Sequence, residues 1–114
     1  MDERLEVHRE EVGGTSVLRA AGEIDIATAP RLRECLAEVP DGSRVVIVDL
    51  SEVTFLDSTG LSVLVGGWKR FSSEDKGAEL RLVVVRPVIQ RVLDVTGLAK
   101  VFSIFSTVEA ALAG

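Results

Sequence analysis

The chain predicts a single α/β domain over residues 1–114, with a mixed, mostly parallel sheet of four to five strands, an antiparallel edge and about four helices. Three observations carry this. Val45-Val46-Ile47-Val48-Asp49-Leu50 is a nearly unbroken apolar run rich in β-branched residues, the pattern of a central strand covered on both faces. Immediately downstream, Leu61, Leu64, Val65, Trp68 and Phe71 recur at helical spacing. Strand-like and helix-like segments then alternate to the end of the chain, and such alternation places successive strands parallel.

The elements follow in order. Leu5-Glu6-Val7-His8-Arg9-Glu10 alternates apolar and polar residues, as a half-exposed strand does, and Gly13-Gly14 is a turn dipeptide. Thr15 to Ala21 resumes as a strand, giving a hairpin. Gly22-Glu23-Ile24-Asp25-Ile26 closes it and feeds a helix with Thr28 as N-cap and Pro30 in the first turn. Leu32, Leu36 and Val39 form that helix's apolar stripe, with Cys35 beside it, and Pro40-Asp41-Gly42-Ser43 ends it. After the central strand, Ser51 to Leu56 reads as a lead-in to Asp57-Ser58-Thr59-Gly60 and the second helix. Ser72 to Gly77 is a polar connection and Leu80 to Val85 another apolar strand. Pro87 opens a helix with Val88, Ile89, Val92 and Leu93 inward and Gly97 as its C′ residue. Val101 to Phe105 is a short strand, and Ser106 with Glu109 fits a capping box for a terminal helix.

Composition excludes several classes of function. The chain is 46% hydrophobic and 27% charged, with net charge −5, which argues against a protein that tracks nucleic-acid phosphates. No apolar run approaches the roughly eighteen residues of a membrane span. The opening Met1-Asp2-Glu3-Arg4 lacks the basic and apolar regions of a signal peptide, so a cytoplasmic location is expected. One cysteine and one histidine leave no disulfide framework and no zinc site, and neither a metal nor a cofactor is expected.

Chemistry and fold meet at Ser58. Its hydroxyl is either the N-cap of the second helix, accepting from the amide of Gly60 or Leu61, or an exposed switch. Phosphorylation there would add about −1.5 to −2 charge beside a helix N-terminus whose free amides tolerate an anion. Gly60 costs about 0.5–1 kcal/mol in a helical turn, which points to a loose start or to a bare surface that a partner approaches. Gly66-Gly67 reads as close packing of helix on sheet. Asp25, at the carboxyl edge of the sheet, is either a capping carboxylate or a neighbour of Ser58; Glu23 reads as an exposed edge residue. His8 is expected to be exposed, with no second histidine for a triad, and Cys35, Trp68 and Phe71 to belong to the core. Asp57-Ser58-Thr59-Gly60 has one residue too many for the Asp-Thr/Ser-Gly signature of aspartic proteases, whose fold is all-β. A Gly-x-x-x-x-Gly-Lys-Ser/Thr phosphate loop is absent. A hydrolase built on Asp25 and Asp57 lacks an evident cleft.

The segment Val48-Asp49-Leu50-Ser51-Glu52-Val53-Thr54-Phe55-Leu56-Asp57-Ser58-Thr59-Gly60-Leu61 closely resembles the signature of bacterial anti-sigma factor antagonists, the small members of the STAS domain family. Gly22 to Pro30 and Val95 to Phe102 resemble that family's other two junctions, so the resemblance runs along essentially the whole chain. It is most similar to actinobacterial members. The resemblance implies a non-enzymatic antagonist with no catalytic residues. It binds an anti-sigma factor that is also a serine protein kinase, releases a sigma factor, and is switched off by phosphorylation of Ser58. A metal-dependent serine phosphatase would reverse the mark. Partner contacts are implied at Glu23, Asp25, Asp57, Ser58, Thr59, Gly60 and Leu61, with Thr59 as a minor phosphosite. Ser62 stands where many relatives have glycine. No nucleic acid, no membrane, and a monomer or weak dimer are expected. The alternative is a scaffold or regulatory subunit of a stress-sensing STAS complex.

Overall fold

The computed structural model describes residues 4–114; the acidic opening Met1-Asp2-Glu3 lies outside the described residues. The hairpin forms as the sequence indicates. Strands Leu5–Val12 (β1) and Thr15–Ile24 (β2) pair antiparallel, and Gly13 and Gly14 both take positive φ, as a tight hairpin turn requires. Helix Ala29–Ala37 (α1) leads to strand Val45–Leu56 (β3), helix Ser58–Phe71 (α2), strand Glu79–Val83 (β4) and helix Pro87–Val95 (α3). A 3₁₀ turn at Leu98–Lys100, strand Ser103–Phe105 (β5) and helix Val108–Ala113 (α4) complete the chain.

The sheet order is β1-β2-β3-β4-β5, and every pair after the hairpin is parallel. Each crossover steps one strand in the same direction, so right-handed connections put α1, α2 and α3 on one face. The main core lies there, where Leu18, Val46, Val48 and Leu82 of the sheet meet Leu32, Leu36, Leu64, Ile89 and Leu93 of the helices. Among the described residues only α4, which follows the last strand, covers the other face, packing Val108 and Ala111 on Val17, Ile47 and Val83. The Val45–Leu50 run is thus buried on both sides. Asp49, on the α4 face, is buried but faces Arg19 at 3.4 Å, which also pairs with Glu10 at 2.8 Å.

Several boundaries differ from expectation. Ser51–Leu56 is not a lead-in but the second half of β3. Register shifts against β2, between Arg19 and Ala21 and again between Gly22 and Glu23, insert bulges, so the core-facing residues are Leu50, Val53 and Leu56. That three-residue spacing is what hid the strand, because bulges break the two-residue alternation. β4 stops at Val83, leaving Val85 exposed, and β5 begins at Ser103 rather than Val101. Val88 does not face inward: it is 52% exposed, Val92 is half-buried, and Ile89 and Leu93 alone carry the buried stripe of α3. Gly97 takes φ 79° as the C′ residue. The terminal cap is Thr107, accepting from the amide of Ala110, so Ser106 and Glu109 form no capping box.

Candidate functional site

β2 and β3 end side by side at the carboxyl edge of the sheet. Ile24 lies opposite Leu56, and the Asp57 amide donates to the Ile24 carbonyl at 3.1 Å. Asp57, in extended backbone, is the N-cap of α2. Its Oδ1 accepts from the amides of Thr59 and Gly60 at 2.9 and 3.0 Å. This corrects the reading of Ser58 as the cap. Ser58 is the first helical residue, exposed, and among the described residues its hydroxyl engages no partner; only its carbonyl does, accepting from the Ser62 hydroxyl at 3.0 Å. It also corrects the notion of free amides awaiting an anion, because Asp57 already occupies two of them. A phosphate on Ser58 would project outward, beside a carboxylate.

Gly60 does not offer a bare surface to a partner. It is buried, and a Cβ on it would stand 2.5 Å from Leu56 Cδ1 and 2.6 Å from Ile24 Cγ2. The missing side chain lets the first turn of α2 rest directly on the ends of β2 and β3, which fixes the height at which Ser58 emerges. Leu61 is buried beside it. Gly67 packs likewise against Leu36, 3.3 Å from its would-be Cβ, whereas Gly66 is exposed and open.

The β2 edge is equally built. Asp25 Oδ1 accepts from the amides of Ala27 and Thr28 at 2.9 and 3.0 Å, while the Thr28 hydroxyl donates to the Glu23 carbonyl and accepts from the Asp25 amide. Thr28 therefore ties the turn rather than capping α1 with its side chain. Arg4 donates to Asp25 Oδ2 at 2.8 Å and lies 3.8 Å from Glu23. Desolvation raises the Asp25 carboxyl, but the Thr28 and Ala27 amides, the Arg4 guanidinium and the Thr28 hydroxyl outweigh it and hold it below its ordinary value. Asp25 is a turn-forming carboxylate at the carboxyl edge of the sheet, one residue beyond Ile24 as Asp57 is one residue beyond Leu56.

Glu23, Asp25, Asp57, Ser58 and Thr59 are thus gathered at one edge, half-buried or exposed, with Gly60 and Leu61 behind them. Two neighbours escaped the sequence reading. Ile26 is 76% exposed and Phe55 47% exposed, and Phe55 stands opposite Glu23 in the strand register. The signal for Ile26 was a large apolar residue inside a polar turn; for Phe55 the bulges scrambled it. Away from this edge, His8 is exposed, Phe71 is buried, and Trp68 and Cys35 pack partly buried against the core. Among the described residues no group of three histidine, cysteine, aspartate or glutamate side chains could hold a metal, and no helix is long and apolar enough to cross a membrane.

The STAS domain family profile matches residues 6–111, nearly the full length of this architecture. The chain belongs to the STAS domain family. This STAS domain is 39% identical over 104 residues to the anti-sigma-F factor antagonist RsfB of Mycobacterium tuberculosis, covering 89% of this chain and 81% of that protein. It is 39% identical over 82 residues to the anti-sigma-B factor antagonist of Staphylococcus aureus, covering 71% and 74% respectively. The crystal structure of an anti-sigma factor antagonist from Mycobacterium paratuberculosis superposes with a TM-score of 0.86 at 34% identity, covering 96% of this chain and 92% of that one. The actinobacterial flavour of the sequence and the mixed five-stranded STAS architecture both hold.

Proposed function

We propose that this STAS domain is an anti-sigma factor antagonist, an interaction module whose partner is an anti-sigma factor with serine kinase activity and whose switch is Ser58. One observation carries the reading: Ser58 opens α2 with an exposed hydroxyl, unengaged among the described residues, at the rim where β2 and β3 end. The antagonist names of the two relatives support it. Unphosphorylated, the site binds the anti-sigma factor and a sigma factor is released. Phosphorylated, it does not bind, and a serine phosphatase restores it.

The physical logic is short. A neutral hydroxyl enters an interface at small cost. A phosphate there is a dianion beside Asp57, whose carboxylate already holds the nearest amides. Burying an unpaired charge costs about 3–5 kcal/mol, on the order of a hundred- to several-thousand-fold in affinity. No change of fold is needed. Glu23, Asp25, Asp57, Ser58 and Thr59 form the contact surface, and Gly60 and Leu61 support it from behind. Calorimetry with the anti-sigma factors of the source genome tests this: Ser58→Ala binds one of them as the wild type does, and Ser58→Asp binds it weakly. Equal affinity of the two variants overturns the proposal.

A further inference from the structure

The rim around Ser58 combines features that specify a partner's chemistry. Ile26 and Ser58 each lie two residues beyond the paired Ile24 and Leu56, at the same edge of the sheet, and Phe55 lies three residues before Ser58. Ile26, at 76%, is the most exposed large apolar side chain of the described residues, and Phe55 beside the Glu23 register position is exposed at 47%. Neither is on a loose segment. Ile26 sits within the turn that Asp25 and Thr28 lock by hydrogen bonds, and Phe55 is in β3. Exposed apolar side chains on rigid backbone cost little ordering when a partner covers them. Around them stand the carboxylates of Glu23, Asp25, Glu52 and Asp57, against the guanidiniums of Arg4, paired with Asp25, and Arg86, paired with Glu52 at 3.2 Å. The rim is therefore net acidic, on a chain of net charge −5.

We infer that Ile26 and Phe55 are the anchors of the docking surface, and that they fit a partner presenting an apolar groove edged by lysine or arginine. This rests on the reading of the Ser58 rim as the anti-sigma factor contact and names the chemistry that contact requires. Apolar anchors belong at the centre of an interface and charges at its border. The flank carboxylates meet the partner's cations at the border, and Ser58, three residues after Phe55, is covered when the anchors dock. A phosphate there adds a dianion beside the Asp57 carboxylate to a contact made for a neutral hydroxyl, which is the inhibitory step.

The test uses the full chain and two synthetic amphipathic helices, one of leucine and lysine and one of leucine and glutamate, followed by NMR. The leucine–lysine helix shifts the resonances of Ile26, Phe55 and Ser58, the leucine–glutamate helix does not, and Ile26→Ala and Phe55→Ala each weaken the response by about tenfold. Val95→Ala, an exposed apolar site on α3, leaves it unchanged. Ile26→Ala keeps the wild-type melting temperature because its side chain is exposed, and Phe55→Ala, half-exposed in β3, lowers it by a few degrees with the fold kept. Shifts centred on α3, an equal response to the two helices, or unaltered affinity in the anchor variants overturns the inference. The same variants titrated with the anti-sigma factors of the source genome separate the two proposals. Equal binding by wild type and anchor variants removes the anchors but leaves the antagonist. A failure of every anti-sigma factor to bind the wild type, with the leucine–lysine mapping intact, removes the antagonist but leaves the surface.

Discussion

The backbone of Gly60 lies so close to Ile24 that a side chain at position 60 would begin 2.6 Å from Ile24 Cγ2. A methyl group there pushes the first turn of α2 off the ends of β2 and β3. Gly60→Ala gains about 0.5–1 kcal/mol of helix propensity but pays overpacking of about 1–3 kcal/mol, because Ile24 and Leu56 are buried and have little room to yield. The net expectation is a lower urea midpoint at unchanged m-value, together with weakened partner binding, since Ser58 moves with the turn.

Asp57 is expected to matter for stability where Ser58 does not. Asp57→Ala removes the acceptor for the Thr59 and Gly60 amides and costs about 0.5–2 kcal/mol, whereas Asp57→Asn keeps an oxygen in place and costs less. Ser58→Ala touches an exposed hydroxyl with no partner among the described residues and stays within about 0.5 kcal/mol of wild type. Chemical denaturation of the three variants checks this ranking, and a larger loss for Ser58→Ala than for Asp57→Ala contradicts the cap assignment.

Acid destabilises the protein partly through Asp25. Its carboxyl is held below the ordinary value of 3.8, so the folded state binds its proton less readily than the unfolded chain does. The associated stability is complete above the unfolded value and is lost as pH falls through the lower, folded one. Asp41, drawn down by Lys76, and Glu79, drawn down by Arg81, act in the same direction. Urea midpoints measured from neutral pH downward fall at the acid end, and Asp25→Asn, which keeps the acceptor oxygen but not the charge, makes that fall shallower. An identical pH profile for the variant removes Asp25 from the account.

The second face depends on Arg81. Its guanidinium is buried, donates to the Ala111 carbonyl at 2.6 Å and to Glu79 at 2.8 Å, and lies over the Phe105 ring. Arg81→Met keeps the stem but leaves the carbonyl unsatisfied, at a cost of about 1–3 kcal/mol. Hydrogen exchange is expected to quicken first in α4, because that helix has only six residues and a small core beneath it.

The sequence by itself determined the element order, the hairpin, the central strand and the edge on which Ser58 stands, because periodicity and turn residues are local properties of the chain. The Val48–Leu61 signature, with the matching junctions Gly22 to Pro30 and Val95 to Phe102, was enough to reach the STAS family. Only the tertiary structure decided which residue caps α2. Asp57 and Ser58 are both good cap residues, and the choice fell to Asp57 when its amide paired with Ile24 and set its backbone extended. The role of Gly60 was likewise invisible, since its nearest neighbours come from the ends of two strands, one of them distant in the chain. Ile26 and Phe55 emerged at the rim for the same reason: exposure is a property of how strands end together, and bulges in β3 turned a residue that alternation could not place into one that faces solvent.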